Sequence, residues 1–107
     1  MASFEEVAFE LGPGEISDIV RTDVGFHIIK FEERDGEKIR VRHILIQVPQ
    51  LPEDEDRTME TLEFLRGRIL SGDESFEEAA RKYSEDIDSS EEGGYLGEFY
   101  LDQVLPQ

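Results

Sequence analysis

His27 and His43 are the only imidazoles in this 107-residue chain, which has no cysteine. They are therefore the side chains best suited to proton exchange near neutral pH. The absence of thiols removes thiolate nucleophiles, thiolate metal sites and disulfides together. Each histidine lies in a run that alternates apolar and polar residues, 26–33 and 38–48, with Asp35-Gly36 between them. Such a dipeptide between alternating runs signals a hairpin. Its register decides whether the imidazoles meet. A two-residue loop of Asp35 and Gly36 pairs Arg34 with Glu37 and sends the histidines to opposite faces. A three-residue loop, Arg34 to Gly36, pairs Glu33 with Glu37, puts Gly36 at the left-handed position and sets His27 directly opposite His43. Opposed residues have Cβ atoms about 5 Å apart, within reach of an imidazole–imidazole hydrogen bond. Two other readings stay open. The histidines could be half-buried strand residues satisfied by neighbours, or two ligands of a metal site completed by a carboxylate. No carboxylate stands at a spacing that fixes such a site.

The flanking elements must position these strands. Residues 3–11 read as a helix, with Ser3 and Glu6 as a capping box and Gly12-Pro13-Gly14 as its stop. Residues 16–22 read as a short strand. In the strand 26–33, His27, Ile29 and Phe31 share one face, and Phe26 and Ile28 the other. Residues 49–56 read as an acidic, proline-bearing loop. Met59, Leu62, Leu65 and Ile69 then recur at helical spacing, with Gly72 as the stop. Ser75 and Glu78 form a second capping box, opening a helix through Phe76, Ala79, Ala80 and Tyr83. Residues 86–94 are turn-rich, 95–99 read as a last strand, and 101–105 as one helical turn before Pro106. The expectation is one α+β domain with about four strands and three or four helices. No internal repeat is visible.

Composition narrows the function classes. The formal net charge of −16 argues against nucleic acid, because no phosphate-neutralising patch exists. The surplus acid favours solubility, with a preference for basic or unfolded clients as the functional alternative. No apolar run approaches the roughly 20 residues of a membrane span, so no membrane insertion is expected. Met1-Ala2-Ser3 reads as an expression start, and no basic-then-apolar leader follows.

Several stretches together resemble the parvulin-type peptidyl-prolyl cis/trans isomerases. Val41-Arg42-His43-Ile44-Leu45 and then Ser75-Phe76-Glu77-Glu78-Ala79-Ala80-Arg81-Lys82-Tyr83-Ser84-Glu85-Asp86 resemble the first half of such a domain. Gly93-Gly94-Tyr95-Leu96-Gly97-Glu98-Phe99 resembles its glycine-rich strand. Phe4-Glu5-Glu6-Val7-Ala8-Phe9 and Val20-Arg21-Thr22-Asp23-Val24-Gly25-Phe26-His27-Ile28 resemble the second half. The halves stand in reversed order: 3–34 is similar to the usual C-terminal half, 38–107 to the N-terminal half, and 35–37 is the joint. Joining Gln107 to Phe4 gives a continuous parvulin-like sequence, which favours circular permutation; the alternative is a segment spanning two domains of a tandem array. The resemblance implies a four-stranded antiparallel sheet flanked by about four helices, in circularly permuted order.

The resemblance also implies a site. His43 and His27 match the family's histidine pair, and Thr22 the threonine bonded to it. Asp86 stands where the family carries cysteine or aspartate. Leu96, Val104 and Phe4 match the proline pocket, with Phe9 behind it. The implied activity is isomerisation of X-Pro bonds in unfolded or extended polypeptides, with no cofactor and no metal. A peptide-binding chaperone module with little turnover is the alternative. Val24 departs from members that carry serine. The acidic stretch from Pro49 to Arg57 argues against phosphoserine-proline substrates, since a dianion would meet carboxylates. SurA-like and PrsA-like foldases resemble this chain, which implies a parent working outside the cytoplasm. A monomer is expected, with a domain-swapped dimer as the alternative.

Overall fold

The computed structural model describes residues 4–47, 51 and 53–100. In chain order these form α1 (Phe4–Glu10), β1 (Val20–Arg21), β2 (Gly25–Asp35), β3 (Lys38–Gln47), α2 (Glu53–Ser71), α3 (Phe76–Tyr83), a 3-10 turn (Ser90–Glu92) and β4 (Tyr95–Tyr100). The four strands make one antiparallel sheet in the order β1-β2-β3-β4. The fold is α+β, with three α-helices among the described residues. The long strands β2 and β3 are central, and each carries one histidine.

Alternation sorts the two faces as period-2 geometry requires. Phe26, Ile28 and Ile44 face α2 and α3, meeting Leu62, Leu65, Ile69, Phe76, Ala79 and Ala80 in one buried cluster. Ile29, Phe31, Ile39 and Val41 face the other way, toward Ala8 of α1 and Val20 of β1. The histidines lie on this second face.

Several boundaries move. α2 begins at Glu53, inside the stretch expected to be loop, and opens with Glu53, Asp54, Glu55 and Asp56. Four carboxylates in a first turn suit the positive end of the helix dipole. The expected strand 16–22 contracts to Val20–Arg21 plus an isolated bridge from Ile16 to Lys30. The Ser75 cap is observed: its side chain accepts from the Glu78 N–H at 3.1 Å. Ser3 of the first expected capping box, and the turn expected at 101–105, lie outside the described residues.

The hairpin register differs from the expected one. Asp35 pairs with Lys38, so the loop is Gly36 and Glu37, and Glu33 faces Arg40 rather than Glu37. Gly36 has φ +62° and Glu37 does not turn positive, the φ pattern of a II′ hairpin turn. Continued unbroken, this frame would put His27 and His43 on opposite faces. A bulge between Phe31 and Glu33 inserts one residue into β2 and restores the parity. Beyond it Ile29 faces His43 and Leu45 faces His27. The histidines are therefore diagonal neighbours, not directly opposed.

Candidate active site

The diagonal still brings the rings together. His27 Nδ1 lies 3.3 Å from His43 Nδ1, with ring centroids 5.4 Å apart and planes inclined by 30°. Both residues are buried, at 5% and 7% exposure. Diagonal strand neighbours are within reach of long or aromatic side chains, and the imidazoles bridge that gap.

Each end of the pair is held from a loop. Thr22 Oγ1 lies 2.8 Å from His27 Nε2 and accepts from the Val24 N–H at 3.2 Å. A turn closed by Thr22 N–H donating to Gly25 O at 2.9 Å seats that threonine. At the other end, His43 Nε2 lies 2.7 Å from Asp86 Oδ2. Asp86 lies three residues beyond the end of α3, and Glu85 N–H donates to Leu45 O at 2.7 Å, tying the segment to the histidine strand. Ser84 Oγ accepts from Leu45 N–H at 3.1 Å and from Asp86 N–H at 3.4 Å.

Donor and acceptor roles follow from this chain of contacts. Asp86 as a carboxylate can only accept, so His43 carries its proton on Nε2. With His43 read as the acceptor at Nδ1, the His27 proton falls on Nδ1 and His27 Nε2 accepts from the Thr22 hydroxyl. Every bond runs in one direction, from Val24 through Thr22, His27 and His43 to Asp86; the protons are assigned from the network. The electrostatics agree. Burial, with His43 adding to it, lowers His27 from 6.5 to about 4, so it is neutral at neutral pH. The Ser89 hydroxyl, with the His43 hydrogen bond, holds Asp86 below the ordinary aspartate value.

The structure thus joins His43, His27, Thr22 and Asp86, and the sequence missed one member. Ser89 is buried and donates to Asp86 Oδ2 at 2.7 Å. Its only sequence signal is the Asp86-x-x-Ser89 spacing of a polar turn. The implied pocket falls only partly within the described residues. Leu96 and Phe9 are half-buried against the cluster on the histidine face. Phe4 belongs to α1, its side chain undescribed, and Val104 lies outside the described residues. Among the described residues no three histidine, cysteine or acidic side chains gather as a metal site. No helix among them is long and apolar enough to cross a membrane.

The relay joins two imidazoles to a carboxylate held in its ionised form, beside apolar side chains. It offers fixed dipoles and one fixed negative charge. Those suit a reaction in which charge is redistributed but no bond breaks.

Comparison with known proteins places the geometry in a family. The profile of the rotamase, or PPIC-type PPIASE, domain matches residues 1–33 and 43–107. The chain is 41% identical over 100 residues to the chaperone SurA of Shewanella oneidensis, covering 88% of this chain and 23% of that protein. It is 36% identical over 111 residues to the chaperone SurA of Nitrosococcus oceani, covering 97% of this chain and 26% of that protein. The chain therefore spans about a quarter of the length of the curated relatives it matches.

Proposed function

Since the chain belongs to the PPIC-type rotamase family, we propose that it isomerises X-Pro bonds in unfolded or extended polypeptides. The observation that carries this reading is the continuous relay Thr22–His27–His43–Asp86. Rotation about an X-Pro amide faces a barrier of about 18–20 kcal/mol. Catalysis needs tighter binding of the twisted amide than of either planar form. Leu96, Phe4 and Val104, with Phe9 behind them, would hold the proline ring. The relay would present fixed dipoles to the carbonyl oxygen as its charge changes with loss of resonance. No cofactor enters this scheme.

The test is an isomerisation assay on an X-Pro peptide with the wild-type chain, His43→Ala and Asp86→Ala. Each variant should lose activity on the order of 10²-fold, as when one preorganised polar group is removed. A folded wild-type chain that binds the peptide without turnover would instead support the peptide-binding chaperone reading. That the relatives are chaperones by name favours keeping that alternative. It also supports unfolded proteins as clients, while the resemblance to SurA-like and PrsA-like foldases is what favours a parent outside the cytoplasm.

The order of the halves has a related reading. Relatives match 88–97% of this chain over 100 to 111 residues, from which we infer that they carry the halves in the same order. That order supports a chain spanning the end of one rotamase unit and the start of the next, more than a permutation peculiar to this protein. A Glu33→Cys, Arg40→Cys pair tests it, because these residues face each other across β2 and β3. It should oxidise within this chain and stay reduced in a longer parent whose two units each close on themselves. Oxidation in both would favour permutation.

A further inference from the structure

Ser89 sits on the turn between α3 and β4, 3% exposed, and is linked to His43 by two routes, one through Asp86 and one through Gly94. Its hydroxyl donates at 2.7 Å to Asp86 Oδ2, the oxygen that His43 Nε2 also reaches at 2.7 Å. Its carbonyl accepts from Gly94 N–H at 2.8 Å, and Gly94 O accepts from His43 N–H at 2.9 Å. Gly94 presses on that strand: a Cβ there would stand 2.2 Å from His43 O. One serine thus holds the carboxylate bonded to the His43 ring and the turn bonded to its main chain.

We propose that Ser89 is a positioning residue of the isomerase site, fixing the orientation of Asp86 and through it the placement of the proton on His43. The proposal rests on the isomerase reading of that site. A carboxylate met by one donor can turn about its terminal torsion, which is broad and two-fold. Here Asp86 Oδ2 meets Ser89 and His43 together, and Oδ1 accepts from Asp88 N–H at 3.3 Å. The carboxylate plane is therefore held from both sides. Ser89 is also the largest influence keeping Asp86 ionised, and an ionised Asp86 keeps the proton on His43 Nε2. The groups facing Asp86 are the His43 ring with His27 behind it and the hydroxyl of Ser89; Ser84 binds its N–H. The Glu85 carboxylate next to it is engaged by Gln47 N–H at 2.6 Å.

The experiment follows histidine 15N shifts and the Asp86 carboxyl 13C titration by NMR, beside kcat and KM, in wild-type, Ser89→Ala and Ser89→Thr chains. Wild-type His43 should show the Nε2–H tautomer near pH 7. Ser89→Ala should mix its tautomers, move the Asp86 midpoint upward and lower kcat about 10-fold with KM unchanged, as outer-shell partners do elsewhere. Ser89→Thr, which keeps the hydroxyl, should restore the tautomer. Should the alanine variant unfold, Ser89→Cys, close in size and a weak donor, should give intermediate values. A folded Ser89→Ala or Ser89→Cys chain with wild-type tautomer, midpoint and kcat overturns the proposal. A wild-type chain without turnover fails the isomerase reading alone, and the tautomer and carboxyl titration still decide Ser89.

Discussion

At the residue scale, the neutral His27 makes the site a source of pH-dependent stability. Its folded value of about 4 lies below the ordinary 6.5. The unfolded chain therefore takes up this proton first as pH falls. The stability held by the neutral ring is complete above about pH 6.5 and is lost as pH falls toward 4, on the order of 2–3 kcal/mol. Protonation would also break the relay, because a charged His27 donates at both nitrogens and leaves the Thr22 hydroxyl proton without its acceptor. Urea denaturation at pH 7 and pH 5 checks this. The wild-type chain should lose more stability over that interval than His27→Gln, which has no such proton to bind. Equal losses would mean that His27 titrates normally. Part of this was legible in the sequence: the histidine pairing could be argued from strand positions, and Thr22 and Asp86 came with the family resemblance. The burial of His27 and the Ser89 contact depend on packing and on a loop distant in sequence.

At the scale of elements, the β2 bulge is the feature that lets the site exist. The two-residue turn at Gly36-Glu37 sets one parity and the extra residue at Glu32 reverses it. Deleting Glu32 should therefore send His27, Ile29 and Phe31 to the α2–α3 face and expose Phe26 and Ile28 to the other. The chain should lose its cooperative unfolding transition by circular dichroism. Glu32→Ala keeps the bulge and removes only the half-buried contact to Arg42 Nε at 2.7 Å. It should cost about 1 kcal/mol or less. The contrast separates the bulge from the glutamate. A bulge has no composition signal, so sequence alternation could place both strands yet not their register. The Ser75 cap, by contrast, is a local pattern and was readable. Ser75→Ala should destabilise by about 1 kcal/mol in urea denaturation, because it strips the acceptor from Glu78 N–H.

At the scale of the molecule, charge sets the terms of every encounter. The chain carries 27 acidic against 11 basic residues. Of those cations, Arg21, Lys30, Lys38, Arg40, Arg42, Arg66, Arg68 and Lys82 already stand within ion-pair distance of carboxylates. The surplus carboxylates thus dominate the surface field, and the self-repulsion of −16 charges opposes the compact state. Raising salt shortens the Debye length from about 30 Å at 0.01 M to about 8 Å at 0.15 M, which screens this repulsion. The thermal midpoint should therefore rise over that range. Binding of the proposed unfolded clients should move the opposite way. An unfolded, lysine-rich, proline-containing peptide should bind more tightly than its glutamate-rich counterpart at low salt, and the difference should shrink as salt rises. Fluorescence anisotropy with the two labelled peptides measures it. Equal affinities at 0.01 M would show that the field plays no part in choosing clients and that the excess acid serves solubility alone.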